Sequence, residues 1–402
     1  MLSDPPVKKL KFLDATLSKA TAAYTIITIP IVYSIMENIH PLGDVGPSAN
    51  NAQTNQPSAN QAPPHNRKSV IGLANMGNTC YMNAAIQALR HFPEISFMCT
   101  RGLLTAAFTE QGRPSAPIAA AYAELVQSLQ SAGDAGGFVR PAGFFEALQT
   151  AVRDTSYAYF TQRTAQDAHE FIVWLLDQLF MATAEPRDLP YSVDLEGSKE
   201  WADAFRTSYS PLVELFFGQL RVSYTCQACS TIHKRYEVFN SLKVQPVAGL
   251  SWAECIEEEI MAEEIIEGYE CDTCKKAGNP RANVLKASSV MRLPKLLILT
   301  VKRYTPFGSR INTPIVHENC DFRFDPIFAR ESTHSSRGHW YRTIGVVDHH
   351  GFGLAGGHYV AQCRSPVYED WTLYDDEGVL ALPKGPSFGV QTYMVFMRAV
   401  KE

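Results

Sequence analysis

In "GLANMGNTCYMNAAIQAL", residues 72–89, a single cysteine, Cys80, falls at the start of a helical pattern. A thiol attacks only as its thiolate, and unpaired N–H groups at a helix N-terminus favour that charge. Gly77 supplies a turn and Asn78 or Thr79 an N-cap, so Cys80 takes a first helical position and its pKa is expected to fall. A small buried cysteine at a helix start is the plain alternative, because a nucleophile also needs a base and a group that orients the base. "GLAGGHYVAQCRS" offers the base: His358 follows two glycines and opens a strand-like run. Seventeen residues later, "WTLYDDEGV" ends another strand on Asp375 and Asp376. Two adjacent strands joined by a loop bring one carboxylate beside His358 and fix its tautomer. Each piece alone is weak; Cys, His and Asp together point to thiol-based acyl chemistry.

A second group of thiols has a different pattern. Of nine cysteines, Cys226 and Cys229 in "YTCQACST" and Cys271 and Cys274 in "YECDTCKK" form two C-x-x-C pairs. An odd count scattered through 402 residues is not a secreted disulfide framework; metal binding and a reactive thiol in a reducing compartment fit better. Two such knuckles offer a closed four-thiolate zinc site, structural because it leaves no open position. The 41 residues between the pairs exceed the usual spacing of a compact zinc ribbon. Cys99, Cys255, Cys320, Cys363 and His233 read as core or surface residues rather than ligands.

The elements that must position these groups alternate in kind along the chain. Residues 80–90, 116–131, 141–153 and 164–183 have helical patterns, and after about residue 214 the sequence turns strand-rich, as in "KLLILTVKRY" and "TYMVFMRAV". Helices first and strands later predict an α+β architecture, a helical lobe facing a sheet. The run of eight glutamates from Glu254 to Glu270 reads as the solvated face of a helix whose apolar stripe is Ile256, Ile260, Met261 and Ile265. Ahead of the body, residues 41–67 are rich in Pro, Asn, Gln and Ala and read as a flexible linker. Residues 20–36 carry no charge and follow four lysines, which suits either a membrane anchor or an element packed on the body. A net charge of −5 gives no electrostatic case for nucleic acid and is compatible with a basic protein partner.

These motifs resemble those of the ubiquitin-specific proteases. The stretch around Cys80 is similar to that family's cysteine box, and "GGHYVAQCRS…WTLYDDEGV" to its histidine box. "TAQDAHEFIVWLLDQL", "LFFGQL", "LPKLLILTVKRY" and "TYMVFMRAV" follow in the family's order, so the resemblance spans roughly residues 69–400. It implies a papain-like core with thumb (about 68–213), fingers (about 214–290) and palm (about 291–402), and hydrolysis after the C-terminal glycine of ubiquitin. Carried onto this sequence, Cys80 is the nucleophile, His358 the base, Asp375 its orienter and Asn75 the oxyanion-hole side chain. Asp167, Glu170 and Tyr359 match the contacts to ubiquitin's tail, and the four paired cysteines match a zinc site at the tip of the fingers.

Ubiquitin's tail carries arginines ahead of its Gly-Gly end, so carboxylates suit it. Thr164 and Asp167 are expected to make a capping box, with Asp167 and Glu170 on one helix face. An acid in a helix's first turn also complements the dipole without any ligand. One position departs from the family pattern: Ala165 stands where a glutamine is usual, which puts strict preference for ubiquitin in doubt. The alternatives are a protease for another ubiquitin-like modifier and a ubiquitin-binding scaffold with weak catalysis. The expected molecule is a monomer of a reducing compartment, cytoplasmic or nuclear, with a membrane-anchored form if residues 20–36 insert.

Overall fold

The computed structural model describes residues 70–104, 113–132, 137–279, 281–305, 307–316, 321–323, 340–353 and 356–400. All belong to the second of two compact units, Ala52–Glu402. The candidate anchor at 20–36, the linker at 41–67 and Cys320 lie outside the described residues.

Strand β1 (Gly72–Leu73) leads into α1 (Cys80–Arg90), then α2 (Pro93–Thr100) and α3 (Ala116–Ser131). β2 (Phe138–Val139), parallel to β1, precedes α4 (Ala142–Val152), α5 (Ala168–Thr183), α6 (Ser198–Phe205) and α7 (Leu212–Phe216). The sequence leads one to expect an amphipathic α1, but every residue of it is buried. Its polar side chains are satisfied individually: Gln87 Nε2 donates to Ile71 O at 2.9 Å and Arg90 Nε to Gln87 Oε1 at 2.6 Å. α1 is thus a central pillar, packed on α5 on one side and on the large sheet on the other.

The next strands build an antiparallel sheet ordered β4-β3-β7-β6, from β3 (Gly218–Cys226), β4 (Ile232–Phe239), β6 (Glu264–Glu270) and β7 (Arg281–Arg292). Between them lie β5 (Leu242–Val244), α8 (Trp252–Met261) and the short α9 (Asp272–Lys276). α8 opens on a capping box: the Ser251 hydroxyl accepts from Glu254 N, and Glu254 Oε2 accepts from Ser251 N at 2.7 Å. Trp252, Ile256 and Ile260 bury against Val244, Leu299 and Val395. Met261 and Ile265, expected on that stripe, are exposed, because the helix ends at Met261 and Ile265 belongs to β6.

The large sheet holds β8 (Leu296–Val301), β9 (Asp321–Arg323), β10 (Trp340–Gly353), β11 (Gly356–Arg364), β12 (Trp371–Asp375), β13 (Gly378–Leu382) and β14 (Thr392–Val400), with β5 at one edge. Its order is β13-β12-β11-β10-β14-β8-β5, with β9 on β10. Among the described strands of this sheet only the β5–β8 pair is parallel. All six residues of β8 are buried, as befits a strand covered on both faces. The architecture is α+β, as expected. Among the described residues no helix is long and apolar enough to cross a membrane.

Candidate active site

Cys80 is the first residue of α1 and is 6% exposed. Thr79 occupies the N-cap position without capping; its hydroxyl accepts from Met76 N at 2.8 Å instead. Gly77 and Asn78 take positive φ, 110° and 56°, and turn the chain into the helix. Burial raises the thiol pKa, and the nearby backbone amides of Tyr359, Tyr81 and Cys80 itself, which favour the thiolate, do not offset it. With Asp376 adding its negative charge, the thiol pKa is raised, opposite to the expectation from the helix terminus alone.

His358 sits on β11 opposite His350 of β10, beside the turn closed by Gly353 and Gly356. β11 pairs with β12, and this register brings the end of β12 to the imidazole: His358 Nε2 lies 2.5 Å from Asp375 Oδ1. The carboxylate therefore holds the proton on Nε2 and leaves Nδ1 as the basic nitrogen. α1, which Cys80 opens, packs on β11, the strand that carries His358 and Tyr359. Among the described residues no hydrogen bond joins Cys80 to His358.

Asn75 is fixed at both ends. Its Oδ1 accepts from Gly77 N at 2.9 Å and Thr79 N at 3.2 Å, while Nδ2 donates to Asp376 Oδ2 at 2.7 Å. One Nδ2 proton remains for another acceptor. Asp376, at φ 50°, also accepts at Oδ1 from Asn83 Nδ2 at 2.8 Å. The sequence alone leaves Asp376 as the second of two adjacent carboxylates, solvated or supporting, and gives Asn83 no role. The available signal was a polar residue one helical turn after Cys80 on an otherwise apolar segment.

The expected capping box at Thr164 does not form. α5 begins at Ala168, and Asp167 is itself the N-cap, its Oδ1 accepting from His169 N at 2.7 Å and Glu170 N at 3.1 Å. The Thr164 hydroxyl accepts from Gln166 Nε2 instead. Asp167 Oδ2 accepts from the Tyr393 hydroxyl at 2.5 Å, so both carboxylate oxygens are engaged. Glu170 is exposed, and among the described residues its carboxylate holds only the Tyr159 hydroxyl, at 3.1 Å. Tyr359 is buried, its ring 4.3 Å from that of His349. His349 was not anticipated. Burial and the nearby Arg310 push its pKa down to about 4.

The four paired cysteines converge at the end of the four-stranded sheet. Cys226 closes β3, Cys229 lies in the turn to β4, and Cys271 and Cys274 flank the start of α9. Their sulfurs all lie within 4.8 Å of one another, with Cys226–Cys274 and Cys229–Cys271 both at 3.6 Å. A tetrahedral ion with bonds of about 2.3 Å requires sulfurs about 3.8 Å apart, so the set fits a zinc-binding site. The Thr231 hydroxyl brings Cys229 down to about 6. Cys99, Cys255 and Cys363 are buried apart from this group, while His233 Nε2 is 3.7 Å from Cys271 Sγ.

A buried thiol at a helix start, an imidazole paired with a carboxylate and a fixed side-chain amide are the groups that thiol-based acyl chemistry requires. The family model for ubiquitin carboxyl-terminal hydrolases matches residues 71–396, and the chain belongs to that family. Ubiquitin carboxyl-terminal hydrolase 2 of Rattus norvegicus is 29% identical over 367 residues, covering 86% of this chain and 58% of the relative. The Homo sapiens protein of that name is 28% identical, covering 82% and 56%. The chain thus spans just over half the length of these curated relatives. A chain of the SAGA DUB module Ubp8/Sgf11/Sus1/Sgf73 bound to monoubiquitin shares the fold, with a TM-score of 0.63 at 20% identity, covering 85% of this chain and 72% of the other. The thumb, palm and fingers fold class is therefore that of this chain.

Proposed function

We propose that this protein is a deubiquitinating thiol isopeptidase that hydrolyses the bond after the C-terminal glycine of ubiquitin. What carries the reading is Cys80 at the start of α1, which packs on β11, the strand whose His358 has its Nε2 held by Asp375. His358 Nδ1 takes the thiol proton as Cys80 attacks the carbonyl carbon. The oxyanion is held by the Cys80 amide and the remaining Nδ2 proton of Asn75. Protonated His358 then gives its proton to the departing lysine amine, and a water activated by the same imidazole hydrolyses the thioester.

Glu170 and Tyr359 contact the substrate tail, Glu170 as the exposed carboxylate for an arginine and Tyr359 as a wall; Asp167 contributes chiefly by seating α5. Cys226, Cys229, Cys271 and Cys274 hold one structural zinc ion, which braces the fingers and takes no part in the reaction. The thumb, fingers and palm divide near residues 213 and 290, and the protein acts as a monomer in a reducing compartment, cytoplasmic or nuclear, where thiol and thiolates survive. The test is reaction of the full chain with a ubiquitin carrying a thiol-trapping group at its C-terminus. A covalent adduct lost in Cys80→Ala is expected. No adduct from folded, zinc-loaded protein, with an adduct from another modifier's probe, would replace ubiquitin as substrate and direct attention to Ala165.

A further inference from the structure

The loop after β8 has no part in the chemistry above, yet it reaches the hairpin that carries His358. Tyr304 and Arg310 face one another across it, and Ser309 bridges to Gly353, at the turn between β10 and β11. Arg310 is a half-buried cation whose guanidinium is held by backbone carbonyls. Its guanidinium donates to His349 O at 2.9 Å, to Gly351 O and to Val390 O at 2.9 Å. The first two carbonyls flank His350, which is paired directly with His358, and the third lies in the segment leading to β14.

The held backbone is also tightly packed. The His349 ring lies under Tyr359, its Nδ1 meets the Tyr304 hydroxyl, and a Cβ on Gly357 would fall 2.2 Å from His349 Nε2. A Cβ on Gly351 would fall 2.5 Å from Gly356 O. Movement of His349 or Gly351 is thus transmitted to Gly357 and His358 without slack.

We propose that Arg310 is a positioning residue for the reaction. Resting on the functional reading above, it clamps β10 through three carbonyls so that the following turn presents His358 Nδ1 to Cys80. A planar fork is needed for three acceptors in different directions; a lysine's point charge reaches fewer of them.

The experiment compares wild type, Arg310→Lys and Arg310→Met in two assays: steady-state cleavage of a ubiquitin C-terminal amide reporter, and the pH dependence of Cys80 alkylation by iodoacetamide. The expected result is a kcat roughly 10–100-fold lower in Arg310→Met with KM within about threefold, partial recovery in Arg310→Lys, and an alkylation profile shifted from wild type in both. Unchanged kcat and alkylation in Arg310→Met would overturn the proposal. So would a kcat loss accompanied by an unmoved alkylation profile and a lowered Tm, or failure of both variants to fold, since these mark Arg310 as a stabilising residue only. Absence of reporter cleavage by wild type would instead defeat the functional reading, while the alkylation profiles still report on the clamp.

Discussion

The Asn75 side-chain amide donates to Asp376 Oδ2 at 2.7 Å, tying the loop before Cys80 to the turn after Asp375. The same carboxylate holds Asn83 of α1, so one group references the candidate oxyanion donor to both the helix of Cys80 and the sheet of His358. Asn75→Ala is expected to lower kcat by roughly 10²–10³-fold with little change in KM. Asp376→Ala should lower it by roughly 10–100-fold. If Asp376 acts through Asn75, the double variant will be no slower than Asn75→Ala alone within a few-fold. Losses that multiply would assign Asp376 a separate role.

Asp167 and Glu170 separate helix capping from substrate contact. Asp167→Ala removes an N-cap, costing about 1–2 kcal/mol, and leaves the Tyr393 hydroxyl without its acceptor. Its Tm should fall measurably. Glu170→Gln, at an exposed position, should change stability by less than about 0.5 kcal/mol while raising KM for a ubiquitin reporter several-fold. An unchanged KM would remove Glu170 from the tail contacts.

Among the described residues three histidines are buried with pKa values below the ordinary 6.5: His91 at about 3, His169 at about 4 and His349 at about 4, in each case chiefly through burial. Below 6.5 the unfolded chain binds protons that the folded one refuses. Their contribution is therefore intact above that pH and is lost as pH falls toward the folded values. The slope is about 1.4 kcal/mol per pH unit for each histidine. Urea titrations between pH 6 and pH 4.5 should show it, and His169→Gln should reduce the dependence by about one histidine's share. An identical pH slope in that variant would show that His169 is not held neutral.

Metal removal tests the four thiols. Native protein should carry about one zinc per chain by mass spectrometry, and Cys226→Ser or a strong chelator should release it. The accompanying loss of a few kcal/mol should lower Tm by on the order of 10 °C. A metal-replete protein that binds no zinc, or a zinc-free one with unaltered Tm, would overturn the structural-zinc assignment.

The sequence carried the chemistry more fully than the packing. α1 and α3 lie at the expected residues because their apolar spacing and helix-forming alanines agree locally. The start of α5 was misjudged because "TAQD" offers two candidate caps, and the choice between them coincides with a contact from Tyr393, 226 residues away. The burial of α1 on all sides was hidden because Asn83 and Gln87 look solvent-facing until their partners, distant in sequence, are known. The Cys80 pKa is raised for a similar reason. A helix terminus is visible in local sequence, whereas the protein wall that desolvates the thiol is assembled from distant strands. His349 and Arg310 carry no motif of their own; only the register of β10 against β11 gives them a role.

The Asn75–Asp376 contact spans 301 residues, which gives the site a schedule during biosynthesis. At roughly 5–20 residues per second, a ribosome takes on the order of 15–60 s to add that stretch after Asn75 has been made. For most of that interval Cys80 has been synthesised but His358 and its carboxylate partner have not, and the anchor of Asn75 comes last. The newborn chain therefore carries the thiol without its partners, and the set is complete only when its last strands join the sheet.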